Sequence, residues 1–458
     1  MLRPIKHHVV GALVALFGVA ACSSPPATSS GDRGQPIPVS LADMSQFYRE
    51  LGLIVSPPPL SIVGKVSYFA SPSPDTTLVL VTISLPNRAL TFSREGDRYR
   101  APYEVRLRIS AGGVEAASLD ALEVVRVGTF KEINRSDESV IFQHFFRIAP
   151  GMYSLSVALR DVGGSRNTSQ EASLVVPRLR GGAFSSPLLT YESSFRASLD
   201  SMPRILASPR STAVFGRDSL AAVFIEAYGS GDRLPITYRV INDAQAAVLR
   251  DSTFLQRHGN LFAGVVNVPI SPVGLGLARL VFARAGSADT ASLPIFVSFG
   301  EDIPIMSFEN MIEYLRFYAA PWRLKTLRDA LAAKRASAWA AFLRDTDPVP
   351  ETAINEDLEA YFARIQVANV QFANDRNPGW LSDRGMVFVA LGEPNQTYER
   401  TIPQAVTNTQ IGQTSHVQVW DYPQYHTQLV FYEDVTRWRL TRASENQFWL
   451  VTNRKLAH

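Results

Sequence analysis

The stretch Tyr103-Glu-Val-Arg-Leu-Arg-Ile-Ser110 alternates apolar and polar residues at every position. Successive side chains of a β-strand point to opposite faces of a sheet, so this pattern places one face on a core and the other in water. Tyr153-Ser-Leu-Ser-Val-Ala-Leu-Arg160 alternates in nearly the same way, with Ala158 as the one exception. Both stretches therefore predict strands of an antiparallel sheet.

A turn signal separates the strands predicted at Ile141–Ile148 and Tyr153–Arg160. The connecting residues are Ala149-Pro-Gly-Met152. Proline presets φ at the first central position of a turn, and glycine accepts the positive φ that a type II turn needs at the second. We therefore expect these two strands to form a hairpin. Several such strands over residues 60–180 predict an Ig-like antiparallel β-sandwich.

Residues 185–300 have the same character and predict a second β-sandwich. Its candidate strands are separated by turn residues such as Gly229, Gly231 and Pro272. We place these strands at Leu220–Tyr228, Ile236–Ile241, Leu261–Val268, Leu277–Arg284 and Leu293–Phe299. The expected fold class is therefore two all-β sandwiches followed by an α+β domain.

Helical spacing replaces the alternation after residue 304. Ser307 can cap a first helix, and helices are also expected at Trp322–Arg344 and Ile354–Ala373. In the second of these helices the expected core residues are Leu324, Leu327, Leu331 and Trp339. Strands are expected at Met386–Leu391, Val417–Tyr422, Gln428–Tyr432 and Gln447–Thr452. Helices followed by strands indicate an α+β domain over residues 304–458.

The third helix is followed by Asn377-Pro-Gly-Trp-Leu-Ser-Asp-Arg-Gly385. This segment resembles the signature of GWxTD-domain proteins, with Gly379, Trp380 and Asp383 at the defining positions. Ser382 stands where the family name has threonine and keeps the hydroxyl. Val419-Trp-Asp-Tyr-Pro423 adds to a resemblance that covers about residues 304–458. It implies an exported bacterial protein and supplies no catalytic role to transfer.

Two interpretations of this signature are open. In the structural one, Trp380 is a core residue and Ser382 or Asp383 accepts backbone hydrogen bonds. Arg384 then pairs with a carboxylate of Glu356 or Asp357. In the functional one, Trp380, Asp383 and Arg384 line a groove that binds a peptide or glycan.

The two interpretations predict different surroundings for the signature. In the structural interpretation, Gly385 and Gly392 bracket a short buried strand. A buried Trp380 and a paired Arg384 would favour a docking module. A cleft with two convergent titratable groups near Trp380 would favour an enzyme.

Residues 1–21 have the layout of a lipoprotein signal peptide. Arg3 and Lys6 precede the apolar run Val9–Ala21, which is shorter than the roughly 20 residues that a membrane-spanning helix needs. The run ends in Val19-Ala-Ala-Cys22, which resembles a bacterial lipobox. The resemblance implies cleavage before Cys22 and acylation of its thiol, with membrane lipid as the partner.

Residues 22–59 are expected to form a lipid-anchored tether with a short helix. The stretch Ser23–Pro38 is rich in proline, serine and glycine and has no core-forming pattern. Apolar residues at helical spacing over Leu41–Leu51 predict the helix. Ser23 stands where an aspartate tends to retain lipoproteins in the inner membrane, which indicates the outer membrane.

Composition and motifs exclude several functional classes. The net charge of +3 and the lack of any Lys/Arg run argue against nucleic-acid binding. Cys22 is the one cysteine, so no disulfide forms within the chain. The seven histidines form no metal-binding helix motif, although His416 and His426 could meet across neighbouring strands. We expect no catalytic residue, metal or cofactor.

The leading hypothesis is a noncatalytic docking module of the cell envelope that binds a protein or cell-wall partner. The alternative is an envelope hydrolase that acts on peptide or glycan, with its site near Asp383. The sequence leaves the oligomeric state and the membrane face open.

Overall fold

The computed structural model describes residues 48–57, 59–134, 139–215, 217–284, 289–298, 307–352, 355–376, 378–403, 414–435 and 437–457. The expected signal peptide, Cys22 and most of the expected tether lie outside these residues. Residues 48–50 are helical, in the segment where the sequence predicts a short helix. Among the described residues, no helix has the length and apolar character needed to cross a membrane.

Two antiparallel sheets form the first β-region. One contains, in spatial order, β1 (Ile54–Ser56), β2 (Ile62–Ala70), β3 (Thr77–Pro86) and β7 (Ser139–Ile148). The other contains β4 (Ser93–Glu95), β5 (Arg98–Ala111), β6 (Val114–Val127), β8 (Gly151–Asp161) and β9 (Asn167–Val176). In this second sheet β5 lies between β6 and β8. The short helix α1 (Phe130–Asn134) precedes β7.

The alternating stretch at residues 103–110 lies in β5 and packs as predicted. Val105, Leu107 and Ile109 are fully buried and share one core with Val81 and Ile83 of β3 in the opposite sheet. The polar residues between them face outward. The period of two therefore decides which side chains enter the sandwich.

The expected hairpin at residues 149–152 is wrong. The chain does reverse there, but β7 pairs with β3 while β8 pairs with β5 and β9. The turn therefore carries the chain from one sheet to the other. Turn residues determine only the local reversal of the chain. The sheet that each strand joins depends on where its apolar face packs.

The second β-region is one continuous sheet of nine strands in the order β11-β10-β13-β16-β15-β14-β17-β18-β12. The strands are β10 (Leu188–Ser194), β11 (Arg204–Ala207), β12 (Thr212–Val214), β13 (Leu220–Ala227), β14 (Arg233–Ile241), β15 (Ala247–His258), β16 (Leu261–Pro269), β17 (Gly276–Arg284) and β18 (Thr290–Ser298). The five predicted strands are present, and sequence analysis missed β10, β11, β12 and β15. All pairs are antiparallel except β12 with β18.

The C-terminal region is α+β, as the sequence predicts. Its helices are α2 (Phe308–Tyr314), α3 (Pro321–Arg328), α4 (Arg335–Thr346), α5 (Glu356–Gln371), α6 (Asp383–Leu391) and α7 (Arg442–Ala457). A sequential antiparallel sheet contains β19 (Gln396–Pro403), β20 (Thr414–Tyr422), β21 (Thr427–Asp434) and β22 (Arg437–Leu440). The apolar core of the nine-stranded sheet continues into the helices, where Trp339 packs against Phe215 at 6.4 Å between ring centroids.

Two predicted strands in this region are wrong. Met386–Leu391 lies in α6, and Gln447–Thr452 lies in α7. The first segment is apolar throughout, and a short apolar run does not distinguish a buried strand from a buried helix. In the structure a capping residue before the run, Ser382, starts the helix.

The single helix expected over Trp322–Arg344 is two helices, α3 and α4. The chain between them leaves Leu331 74% exposed, so its assignment to the core is wrong, whereas Trp339 is fully buried. The helical spacing of the leucines does not by itself reveal a break that contains no proline or glycine.

A buried ion pair ties the two β-regions together. Arg196 donates through Nε and Nη2 to the two carboxylate oxygens of Glu226, at 2.9 and 2.7 Å. Its Nη2 also donates to the carbonyl oxygen of Ala70 at 2.9 Å. The Tyr228 hydroxyl donates to Glu226 Oε2 at 3.0 Å and accepts from Ala70 N at 2.8 Å. The end of β2 is thereby fixed to the second region.

Candidate functional site

The signature segment forms the connection between α5 and α6. Gly379–Leu381 make one 3₁₀ turn, and α6 begins at Asp383. The Ser382 hydroxyl accepts a hydrogen bond from Gly385 N at 3.0 Å and donates to Gly379 O at 2.7 Å. This is the backbone bond that the sequence predicts for Ser382, and it caps the helix.

Two glycines of the signature allow backbone segments to approach closely. A Cβ atom on Gly379 would lie 2.3 Å from Ala368 O, and one on Gly385 would lie 2.0 Å from Gly379 O. Neither distance is possible for a real side chain, so any larger residue would force the α5–α6 connection apart. The expectation that Gly385 and Gly392 bracket a strand is wrong, because Gly385 lies in the first turn of α6 and Gly392 ends that helix with φ of 87°.

Trp380 is a core residue with 4% of its surface exposed. Its ring stacks on Tyr314 at 5.2 Å between centroids, and the guanidinium of Arg316 lies 5.2 Å from its ring centroid. Its backbone N–H donates to Asn369 Oδ1 at 3.1 Å. Burial raises the pKa of Tyr314 to about 12, so this neighbour remains an uncharged phenol at neutral pH.

Arg384 pairs with Asp375. Its Nε donates to Asp375 Oδ2 at 2.6 Å and its Nη2 to Oδ1 at 2.8 Å, with side chains 16% and 2% exposed. The predicted partners Glu356 and Asp357 are wrong. They lie in the first turn of α5, whose 16 residues span about 24 Å, whereas Asp375 follows the end of that helix.

Asp383 binds a neighbouring strand. Its Oδ2 accepts a hydrogen bond from Leu440 N at 2.7 Å, which joins the first turn of α6 to the end of β22. A carboxylate in the first turn also interacts favourably with the helix dipole. The geometry gives Asp383 a structural hydrogen bond at the position where the alternative hypothesis needs a catalytic acid or base.

Residues 282–452 match the family model of the GWxTD domain. The C-terminal third of the chain is a GWxTD domain. The match begins within β17, so it includes the last three residues of β17 and all of β18 in the nine-stranded sheet, as well as the helices up to residue 452 and the last sheet.

No curated protein matches the chain. Among solved structures, trypsin-activated alpha-2-macroglobulin from Escherichia coli is similar at 14% identity, over 53% of this chain and 17% of that one, with a TM-score of 0.19. Dimeric latent PorU from Porphyromonas gingivalis has 12% identity over 51% and 20%, with a TM-score of 0.22. Beta-glucuronidase from Bifidobacterium dentium has 7% identity over 48% and 39%, with a TM-score of 0.19. The similar part spans less than half the length of each of these proteins.

The histidines of the GWxTD domain do not form a site. His416 lies on β20, opposite Thr401, and His426 lies in the turn between β20 and β21, so the two are at opposite ends of this hairpin. The possible meeting of these histidines across neighbouring strands does not occur. Over the described ranges, no group of three or more histidine, cysteine, aspartate or glutamate residues could hold a metal ion.

Three charged residues, Asp375, Arg239 and Arg250, were not predicted from the sequence. Asp375 gave no signal because it lies in a short connection without a recognised motif. Arg239 and Arg250 lie opposite each other on the nine-stranded sheet. The alternation of Arg233–Ile241 could have placed Arg239 on the exposed face, but its cross-strand partner depends on the register.

Proposed function

We propose that this protein is a membrane-anchored, exported lipoprotein that acts as a noncatalytic docking module of the cell envelope. The noncatalytic role is supported by the contacts of the signature residues, which are made within the fold. Trp380 is in the core, Asp383 accepts a backbone hydrogen bond, and Arg384 is paired with Asp375. Freeing these groups for a substrate would break bonds that stabilise the fold.

The anchor and location are proposed from the N-terminal sequence. A signal peptide at residues 1–21 directs export, and acylation of Cys22 holds the mature chain on the membrane. Two or more acyl chains give stable attachment. Ser23 indicates the outer membrane, and the stretch Ser23–Pro38 could hold the folded body about 50 Å from the lipid at roughly 3.3 Å per residue.

The docking role is supported by the exposed surface of α5 in the GWxTD domain. Val367 and Val370 are three residues apart, which places them side by side on the helix. They are 48% and 79% exposed. Apolar pairs at the surface favour contact with a partner, which we propose to be a protein or a cell-wall component. The hydrolase alternative gains no support from the geometry, because Asp383 is bonded to Leu440 N.

The anchor is tested by replacing Cys22 with Ser in a bacterial host. The wild-type chain should fractionate with membranes and carry acyl chains by mass spectrometry, because the thiol is the acylated group. Cys22→Ser should remain as a precursor or leave the membrane, while the neighbouring change Ser24→Ala should behave as wild type. Normal processing and membrane retention of Cys22→Ser would contradict the anchor.

The absence of hydrolase activity is tested with the same membrane fractions of the wild-type chain. Incubation with peptidoglycan should release no soluble fragment. Release that is abolished by Asp383→Asn would establish the hydrolase instead, because this change removes an acid or base while its amide oxygen can still accept the bond from Leu440 N.

A further inference from the structure

Two arginines face each other across the outer surface of the nine-stranded sheet. The antiparallel register of β14 and β15 places Arg239 directly opposite Arg250, and both side chains are exposed. Directly opposite residues have Cβ atoms about 5 Å apart, where like charges repel each other. Neither guanidinium has a hydrogen bond or ion pair with another residue in the described ranges.

The carboxylate next to Arg250 in the sequence binds other groups. Asp251 follows Arg250, but its Oδ2 accepts from the Tyr238 hydroxyl at 3.1 Å and its Oδ1 accepts from Ser252 N at 2.7 Å. Both oxygens of Asp251 are therefore used by groups other than the guanidinium groups. Asp251 forms no ion pair with either arginine.

A row of hydroxyl groups lies beside the arginines. The register across β15, β14, β17 and β18 aligns Ser252 with Thr237, Thr237 with Ala283, and Ala283 with Thr290. This row is two residues along the strands from the arginine row, which corresponds to roughly 7 Å. Residues of both rows line a cleft of about 530 Å³, together with Tyr238 and Asp251, which are hydrogen-bonded to each other.

We propose that this cleft binds a sugar that carries one oxyanion, either a carboxylate or a phosphate. A guanidinium donates two parallel hydrogen bonds to such a group, and an oxyanion between Arg239 and Arg250 replaces their repulsion by two attractions. The hydroxyl groups of Ser252, Thr237 and Thr290 can exchange hydrogen bonds with sugar hydroxyls. The cleft has the size of a small-ligand site.

Binding of an anionic sugar in the cleft would add a function to the proposed docking role and does not depend on that role. It lies on the second β-region rather than at the GWxTD signature. Its chemistry is independent of Cys22 and of where the chain is located. Failure of the anchor experiment would therefore leave the cleft untouched, and the reverse also holds.

Three sugars that differ at one carbon test the proposal by titration calorimetry on the full chain. Galactose 6-phosphate and galacturonic acid supply the two oxyanions, and galactose is the neutral control. At least one anionic sugar should bind, with galactose at least about ten-fold weaker and with an affinity that falls as salt is raised. Binding of the phosphate or of the carboxylate alone identifies which oxyanion the cleft takes. Failure of both to bind at about 10 mM, or equal binding of galactose, would overturn the proposal.

Variants locate the binding. Arg239→Gln and Arg250→Gln should each weaken the anionic sugar at least about ten-fold, because each removes one pair of charge-assisted hydrogen bonds. Arg233→Gln is the matched control, since Arg233 lies on the same strand and face at about 20 Å from Arg239. Circular dichroism checks that each variant is folded. An affinity unchanged in both cleft variants would place the ligand elsewhere and refute the assignment.

Discussion

The GWxTD signature and the outer face of the nine-stranded sheet use arginine in opposite ways. Arg384 makes two hydrogen bonds to Asp375 and is mostly buried, whereas Arg239 faces Arg250 and both are exposed. A charge removed from water needs a partner, because an unpaired buried ion costs several kcal/mol, but an exposed charge does not. Burial and pairing therefore decide whether an arginine stabilises the fold or remains available to a ligand. In this protein Asp383 and Arg384 of the recognisable motif are bonded within the fold, and the candidate ligand site lies on strands without a motif.

The largest change in stability is expected for Asp375→Ala, which removes the carboxylate partner of Arg384. The change leaves Arg384 mostly buried without its carboxylate, which should lower the free energy of unfolding by about 3–5 kcal/mol. Urea unfolding followed by circular dichroism measures the loss.

A double variant distinguishes loss of the charge pair from loss of packing. Asp375→Ala combined with Arg384→Met should recover part of the stability, because methionine packs without requiring a charge partner. If Asp375→Ala alone unfolds like the wild type, the pair does not stabilise the signature and the contrast between the two regions is wrong.

Lys65 is an intermediate case, a buried cation without a carboxylate partner among the described residues. Its Nζ donates to Ser211 Oγ at 3.0 Å, and burial lowers its pKa from 10.5 to about 7. Between those pH values the unfolded chain binds more protons than the folded chain, so the free energy of unfolding should rise as pH rises from about 7 to 10.5.

Replacing Lys65 with Met should remove this pH dependence. The variant should be more stable than wild type by about 2 kcal/mol at acidic pH, after the lost bond to Ser211 is taken into account. The difference should fall to zero and then reverse as the pH approaches 10, because the lowered pKa of the wild-type lysine raises the wild-type stability by more than about 2 kcal/mol over this range. Urea unfolding across this pH range measures it, with Lys131→Met as a surface control. A wild-type advantage at acidic pH would show that Lys65 is a net stabilising charge.

The smallest effect is expected for the stability of Arg239→Gln. Removing one of two facing like charges should leave the free energy of unfolding unchanged or raise it by less than about 1 kcal/mol at low salt. Arg384→Gln is the matched comparison and should be clearly destabilising, because it leaves Asp375 without its partner. A comparable loss in both variants would mean that Arg239 has a structural role and would remove the distinction between the two regions.

Sequence alone determined the features that depend on a few neighbouring residues. The alternation at residues 103–110 predicted a strand and the face it buries, because strand side chains alternate over two residues. Ser307, which was predicted as a cap, accepts a hydrogen bond from Asn310 N, three residues along the chain. The signature was recognised, and a backbone hydrogen bond to Ser382 or Asp383 was predicted, but the helix that Ser382 caps was not.

Only the tertiary structure decided which distant segments meet. Residues 386–391 are apolar enough for either a strand or a helix, and β7 and β8 separate into different sheets although one turn joins them. Arg384 pairs with Asp375 rather than with the carboxylates at the far end of α5, and Arg239 meets Arg250 through strand register. Local patterns determine the conformation of a segment and the face that it buries. Which distant segments pair depends on how all the buried faces pack together.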